Sequence, residues 1–319
     1  MKIVILDGYT INPGDLSWSE IEKLGELTVY DRTPQDLITS RIGEAEIVLT
    51  SKCLINEKVI DQCPNLKYIG ILATGFNIID LNYARAHGIM VTNIPSYSTE
   101  SVAQHTIALL LEICNHVKEH SDGVNDGQWH LSKDFCLYLT PQMELMGKTM
   151  GIFGFGNIGK RVAKIAEAFG MKVIITSEYP DNDFATENIQ FVSQEQLYKT
   201  SDVISLHCPL TENNKGFINQ ESISKMKNGV IILNTSRGPL INEEDLAEAL
   251  KSNKVFAAGL DVLSVEPPKG VNPLIGLENC VITPHVAWTT KESRVRLMEI
   301  ALSNLESYLN GGHLNCLNQ

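Results

Sequence analysis

Nothing in this sequence resembles a disulfide framework, a zinc knuckle, a membrane span or a basic face. The seven cysteines (53, 63, 114, 136, 208, 280 and 316) are scattered, odd in number and free of any Cys-x-x-Cys pair. That is the usage of reduced, mostly buried thiols and not of a zinc site, and no metal is expected. No apolar run reaches membrane-spanning length, and Met1-Lys2-Ile3-Val4-Ile5-Leu6-Asp7 reads as a strand, not a leader. A cytoplasmic protein is expected. The net charge of −12 argues against nucleic acid or an anionic membrane as partner. Low-complexity segments and short-period repeats are also missing.

What is present is ordinary in bulk and specific in order. At 319 residues, 43% hydrophobic and 20% charged, the chain is long enough for two cored domains. Short apolar runs alternate with amphipathic stretches. Strands are expected at 2–7, 46–50, 67–72, 89–92, 149–153, 171–176, 202–206, 229–234, 255–260 and 280–282. Helices are expected at 15–24, 80–87, 157–169, 193–199, 219–227 and 242–252. The βαβα rhythm predicts an α/β protein of doubly wound parallel sheets, and ten strands need two such sheets. The seam falls at a long helix near 98–121, opened by Ser98 or Thr99 with Glu100 just inside. It is apolar around most of its circumference and therefore buried. A second long helix, 290–309, has no strand after it and could pack back on the first domain.

The first chemical signal is Gly154-Phe155-Gly156-Asn157-Ile158-Gly159 between a strand and a helix. Gly154 permits the tight turn, Gly156 lets a pyrophosphate approach the backbone, and Gly159 lets the helix pack on the strand. The next strand should end in an acid for the adenosine ribose diol. Here Ser177 stands at that place, with Glu178 after it. The loop goes on Tyr179-Pro180-Asp181-Asn182-Asp183, acidic and without a cation. A 2′-phosphate would be repelled, so NAD is expected in preference to NADP.

The second signal is a trio at strand ends. Arg237 follows the apolar run 229–233, Glu266 follows 255–262 on a loop with Pro267 and Pro268, and His285 sits on a turn set by Pro284. Ligands bind at the carboxyl ends of parallel strands. Arg237 can pair with a substrate carboxylate and polarise a carbonyl. Interconverting a hydroxyl and a carbonyl by hydride transfer moves one proton, a task suited to histidine, and Glu266 would hold the ring and select its tautomer. The remaining histidines (87, 105, 116, 120, 130, 207 and 313) have no such setting.

With His207-Cys208-Pro209-Leu210-Thr211, Asn234 to Gly238, Gly259-Leu260-Asp261-Val262 and Pro284-His285, these motifs resemble the D-isomer-specific 2-hydroxyacid dehydrogenases across essentially the whole chain. The resemblance implies a flavodoxin-like substrate domain, 1–98 with 289–319, and a Rossmann NAD-binding domain, 99–288. It implies reduction of a small 2-keto acid to a D-2-hydroxy acid, with hydroxypyruvate and D-glycerate the leading pair. Arg237, Glu266 and His285 would be catalytic. Thr74-Gly75-Phe76-Asn77 would bind the substrate carboxylate, with Trp288 on the far side of the pocket. Asp261 would hold the nicotinamide carboxamide, Thr106 would lie near its ring, and Cys208, Pro209 and Thr235 would line the nucleotide. A homodimer through the nucleotide domain is implied, with 123–147 as its arm. An NAD(H)-sensing corepressor and a 3-phosphoglycerate dehydrogenase are the rival readings. The intact trio argues against the first and the lack of a cation cluster against the second.

Overall fold

The structure, a computed structural model, describes residues 1–319 and divides into two compact units, Met1–Ser98 with Thr289–Gln319, and Thr99–Trp288. In the first unit, β1 (Lys2–Ile5), β2 (Glu26–Val29), β3 (Ile47–Thr50), β4 (Tyr68–Ile71) and β5 (Met90–Thr92) form one parallel sheet in the order β2-β1-β3-β4-β5. That is the flavodoxin-like order, with the switch point between β1 and β3. β3 and β4 are buried at every position, as expected of strands covered on both faces. At the carboxyl end of β1 the buried Asp7 accepts from Thr50 Oγ1 (3.0 Å), Ser51 Oγ (3.0 Å) and Lys52 N–H (2.7 Å), which ties β1 to the turn after β3. The helix Lys291–Leu309 belongs to this unit. Its Tyr308 lies 4.8 Å from Tyr68, and its Arg294 makes two 2.7 Å bonds to Asp15.

The second unit carries seven parallel strands: β6 (Thr149–Phe153), β7 (Lys172–Thr176), β8 (Ile189–Phe191), β9 (Val203–Leu206), β10 (Val230–Asn234), β11 (Val255–Leu260) and β12 (Cys280–Ile282). Their order is β12-β11-β10-β9-β6-β7-β8, so the winding reverses between β6 and β9. This is the dinucleotide-fold arrangement with one extra strand. The helix Thr99–Asn115 buries Ala103, Ile107, Leu110 and Ile113 in the core on one face of the sheet. Gly259 of β11 allows that approach: a Cβ there would lie 3.0 Å from Leu109 Cβ and 2.9 Å from Leu233 Cδ2.

The ten expected strands are all present, and two more exist. β2 is half-exposed and β8 has only three residues, so neither leaves a long apolar run. The helix expected at 15–24 shrinks to Ser19–Glu22, because Pro13 and Gly14 keep the preceding segment irregular. That at 219–227 shrinks to Gln220–Ser224. The helix expected to run from 98 to 121 stops at Asn115. His116 adopts a left-handed backbone (φ 47°), and a separate helix, Val117–Asn125, begins where the apolar stripe gives way to polar residues.

Candidate functional site

β10, β11 and β12 are consecutive neighbours in the sheet, so the segments leaving their carboxyl ends emerge side by side. After β10, Ser236 N–H donates to Asn234 Oδ1 (3.0 Å) and Asn234 Nδ2 donates to the Arg237 carbonyl (2.9 Å), which fixes a tight turn with Arg237 exposed at its tip. Gly238 then passes against the next loop. A Cβ on it would fall 2.0 Å from the Leu263 carbonyl, a clash of backbone, so only glycine lets these two loops touch. Glu266, on that next loop, accepts from Leu263 N–H at 2.8 Å through Oε1 and faces His285 Nδ1 at 2.6 Å through Oε2. Burial pushes the Glu266 carboxyl up. The His285 hydrogen bond and charge, the Leu263 N–H and the Arg237 charge together outweigh it and hold the group below the ordinary carboxylate range. The three residues singled out in the sequence are thus one electrostatic unit.

His285 itself has a left-handed backbone (φ 55°), a conformation unfavourable for most residues and tolerated better by histidine than by bulkier or β-branched ones. Asp261 holds it there. Its carbonyl accepts from His285 N–H (2.8 Å), and its buried carboxylate accepts from Thr283 Oγ1 (2.6 Å), Val286 N–H (2.9 Å) and Ala287 N–H (2.9 Å). The family resemblance assigns this carboxylate to the nicotinamide carboxamide as well. In the structure it organises the loop that carries the imidazole. His105, which has no setting in the sequence, belongs here as well: its Nε2 lies 2.9 Å from Thr283 Oγ1 and 3.5 Å from Asp261 Oδ1. The neighbouring Thr106 Oγ1 lies 2.8 Å from Thr235 Oγ1, joining the long helix to the turn after β10. Trp288 follows this loop and is half-buried.

At the switch point the glycine turn fits a dinucleotide. Gly154 has φ 96°, and a Cβ on it would meet His207 and Cys208 backbone at 2.7 Å. Gly159 packs its helix so closely that a Cβ would lie 2.3 Å from the Gly154 carbonyl. Gly156, by contrast, has nothing within 4 Å of its missing Cβ, so the face where a pyrophosphate would rest is open. The helix Asn157–Ala168 starts at Gly156 and directs its first N–H groups to that space. Phe155 turns away and packs edge-on against Phe184 and Phe191, each 4.9 Å distant. Ile158 is partly buried against the same core. The wall opposite is the 205–209 segment, where Ser205 Oγ pairs with His207 Nε2 (2.8 Å) and Ser236 Oγ donates to the Cys208 carbonyl (2.6 Å). Burial pushes His207 down to about 3 and the Cys208 thiol up to about 11, so both are uncharged near neutrality. Pro209 is exposed beside them.

β7 ends at Thr176, and Ser177 Oγ accepts from Tyr179 N–H (3.1 Å) at the start of the loop carrying Glu178. That loop contains no cation, yet one reaches it from the helix behind the glycine turn: Lys160 Nζ lies 3.4 Å from Asp181 Oδ2. In the first unit, the turn Thr74–Asn77 leaves the carboxyl end of β4. Thr74 is fixed there by bonds to the Ile94 carbonyl (2.7 Å) and from Asn93 Nδ2 (2.8 Å), while Phe76 is 42% exposed. Gly75, Phe76 and Asn77 retain N–H groups that no acceptor in the chain takes up.

Residues 107–287 match the family model described as D-isomer specific 2-hydroxyacid dehydrogenase, NAD binding domain. The whole chain is 53% identical to the whole of a hydroxypyruvate reductase of Blautia hydrogenotrophica. It is 36% identical to a glycerate dehydrogenase of Methylorubrum extorquens, over 97% of this chain and 96% of that one. Among solved structures, D-lactate dehydrogenase from Aquifex aeolicus complexed with NAD and lactic acid superposes with a TM-score of 0.85 at 31% identity, covering 100% of this chain and 99% of the other.

Proposed function

The chain belongs to the D-isomer-specific 2-hydroxyacid dehydrogenases, NAD-dependent oxidoreductases acting on CH–OH groups, and we propose that its own substrate pair is hydroxypyruvate and D-glycerate. The observation that carries the chemistry is the 2.6 Å pair of His285 and Glu266, with Arg237 contributing to the field on the same carboxylate. The 53% identity to a hydroxypyruvate reductase along its full length supports the choice of substrate.

Bound NADH supplies the hydride. With Nδ1 turned to Glu266, the imidazole has Nε2 left to face the substrate and to give its proton to the carbonyl oxygen. Reduction of the 2-keto acid therefore consumes one hydride and one proton, and His285 is recharged from solvent. Arg237 pairs with the substrate carboxylate and leans positive charge on the carbonyl, so electron density builds on oxygen more easily. The N–H groups of Gly75, Phe76 and Asn77, with Thr74 holding their turn, are assigned to substrate binding, as is Trp288. Met1–Ser98 with Thr289–Gln319 is accordingly read as the substrate domain, and Thr99–Trp288 as the NAD-binding domain.

For the cofactor, Gly154, Phe155, Gly156, Asn157, Ile158 and Gly159 form the pyrophosphate turn, and Ser177 and Glu178 take the ribose diol. Cys208, Pro209, Thr235 and Thr106 line the rest, and Asp261 is assigned to the nicotinamide carboxamide as well as to holding the His285 loop. The segment 123–147 is read as a dimer arm, since it exposes Leu131, Phe135, Tyr138 and Met146, an apolar surface that a second copy would cover. Seven free cysteines suit a cytoplasmic setting, and no helix is long and apolar enough to cross a membrane.

Initial rates of NADH oxidation with hydroxypyruvate, glyoxylate, pyruvate and longer 2-keto acids test this reading. Hydroxypyruvate should give the highest kcat/KM and yield the D-isomer of glycerate. A clear preference for pyruvate or a longer acid, or formation of L-glycerate, would overturn it.

A further inference from the structure

The loop after β7 is held to the glycine turn by charge and aromatic packing that the hydride-transfer chemistry does not require. Lys160 leaves the first turn of the helix Asn157–Ala168 and lays its ammonium 4.6 Å from the centre of the Phe155 ring. It then meets Asp181 Oδ2 at 3.4 Å. Phe155 packs on Phe184, which closes the same loop, and Asp181 Oδ1 accepts from Asp183 N–H at 3.2 Å. Lys164, one turn further on, lies over Phe184 and is engaged by Glu167 at 3.2 Å. The ammonium that directly follows the glycine turn is therefore engaged by a carboxylate of the loop itself, while Lys164 is engaged by Glu167 and Arg161 by Glu100.

In this fold the adenosine ribose rests between the glycine turn and the end of the second strand. Ser177 there is small and neutral, so it neither repels a 2′-phosphate nor binds one strongly. The sign of the local charge is left to Glu178, Asp181 and Lys160. We propose that the Lys160–Asp181 pair is the selector between NADH and NADPH: Asp181 removes from use the cation that reaches the loop after β7. This inference rests on the dinucleotide site described above. A phosphate oxygen is a stronger partner for an ammonium than water, and an exposed ion pair of this kind is weak enough to be redirected. Freed of Asp181, Lys160 keeps its seat on Phe155 and becomes a phosphate ligand.

Calorimetric titration of the protein with NADH and with NADPH, in the absence of substrate, tests this directly. Asp181→Asn should raise affinity for NADPH relative to NADH about tenfold, as expected for one new hydrogen bond between an ammonium and a phosphate oxygen. Adding Lys160→Met to that variant should erase the increase, and salt should shrink it. Should Asp181→Asn fold poorly, Asp181→Ser keeps an acceptor for the Asp183 N–H and reads the same charge. An unchanged NADPH/NADH ratio in the single variant, or an increase that survives Lys160→Met, would overturn the selector. Loss of binding of both cofactors by the unaltered protein would instead contradict the dinucleotide site.

Discussion

At the scale of single residues, the site depends on one histidine held in an unusual backbone conformation. His285 has φ 55°, and Asp261 answers that cost with one bond through its carbonyl and three through its carboxylate. Asn at 261 would keep one oxygen and turn an NH2 group toward a backbone N–H. We expect Asp261→Asn to cost about 1–3 kcal/mol in urea unfolding, the range for leaving a buried donor unpaired, and to lower kcat as the imidazole loses its fixed aim. An unchanged midpoint and unchanged kcat would show that the loop holds itself. Arg237, Glu266 and His285 were legible in the sequence because each ends an apolar run, and parallel strands bring their carboxyl ends together. His105 was not legible, since its partners Thr283 and Asp261 lie more than 150 positions away and nothing local marks it. Lys160 directly follows the glycine turn, but its partner comes from a loop whose path the sequence does not disclose.

At the scale of elements, what matters is how closely loops and helices can approach. Gly238 lets the turn after β10 touch the loop after β11, and a Cβ would strike the Leu263 carbonyl at 2.0 Å. Backbone cannot yield as a flexible side chain can, so Gly238→Ala should push Arg237 away from Glu266. The expected outcome is a fall in kcat/KM for hydroxypyruvate of about tenfold or more, the scale set by misplacing a positioning group by an ångström. Steady-state kinetics check it, and a variant within twofold of the parent would show the loops to be compliant. Strands such as β3, β4, β9 and β10 could be read from sequence because burial on both faces demands apolar runs. β2 and β8 escaped because an edge strand that is short or half-exposed needs none. The break at His116 escaped because a left-handed residue between two helical segments interrupts no hydrophobic period strongly enough to be seen.

At the scale of the molecule, an acidic chain that carries a patch of large apolar side chains needs something to cover them. Phe135 is 92% exposed, Tyr138 86% and Leu131 82%, all on one irregular stretch of the second unit. Replacing both Leu131 and Phe135 by Asp should convert a dimer to a monomer in sedimentation equilibrium, whereas a monomeric mass for the parent protein would remove the arm from the account. The division of labour at the strand ends has its own test, in which binding and turnover are read on one variant. His285→Asn keeps a polar group of similar reach but cannot carry the proton. The account predicts that this variant binds NADH as the parent does and loses about 10²–10⁴-fold in kcat for hydroxypyruvate; turnover within tenfold of the parent would contradict it.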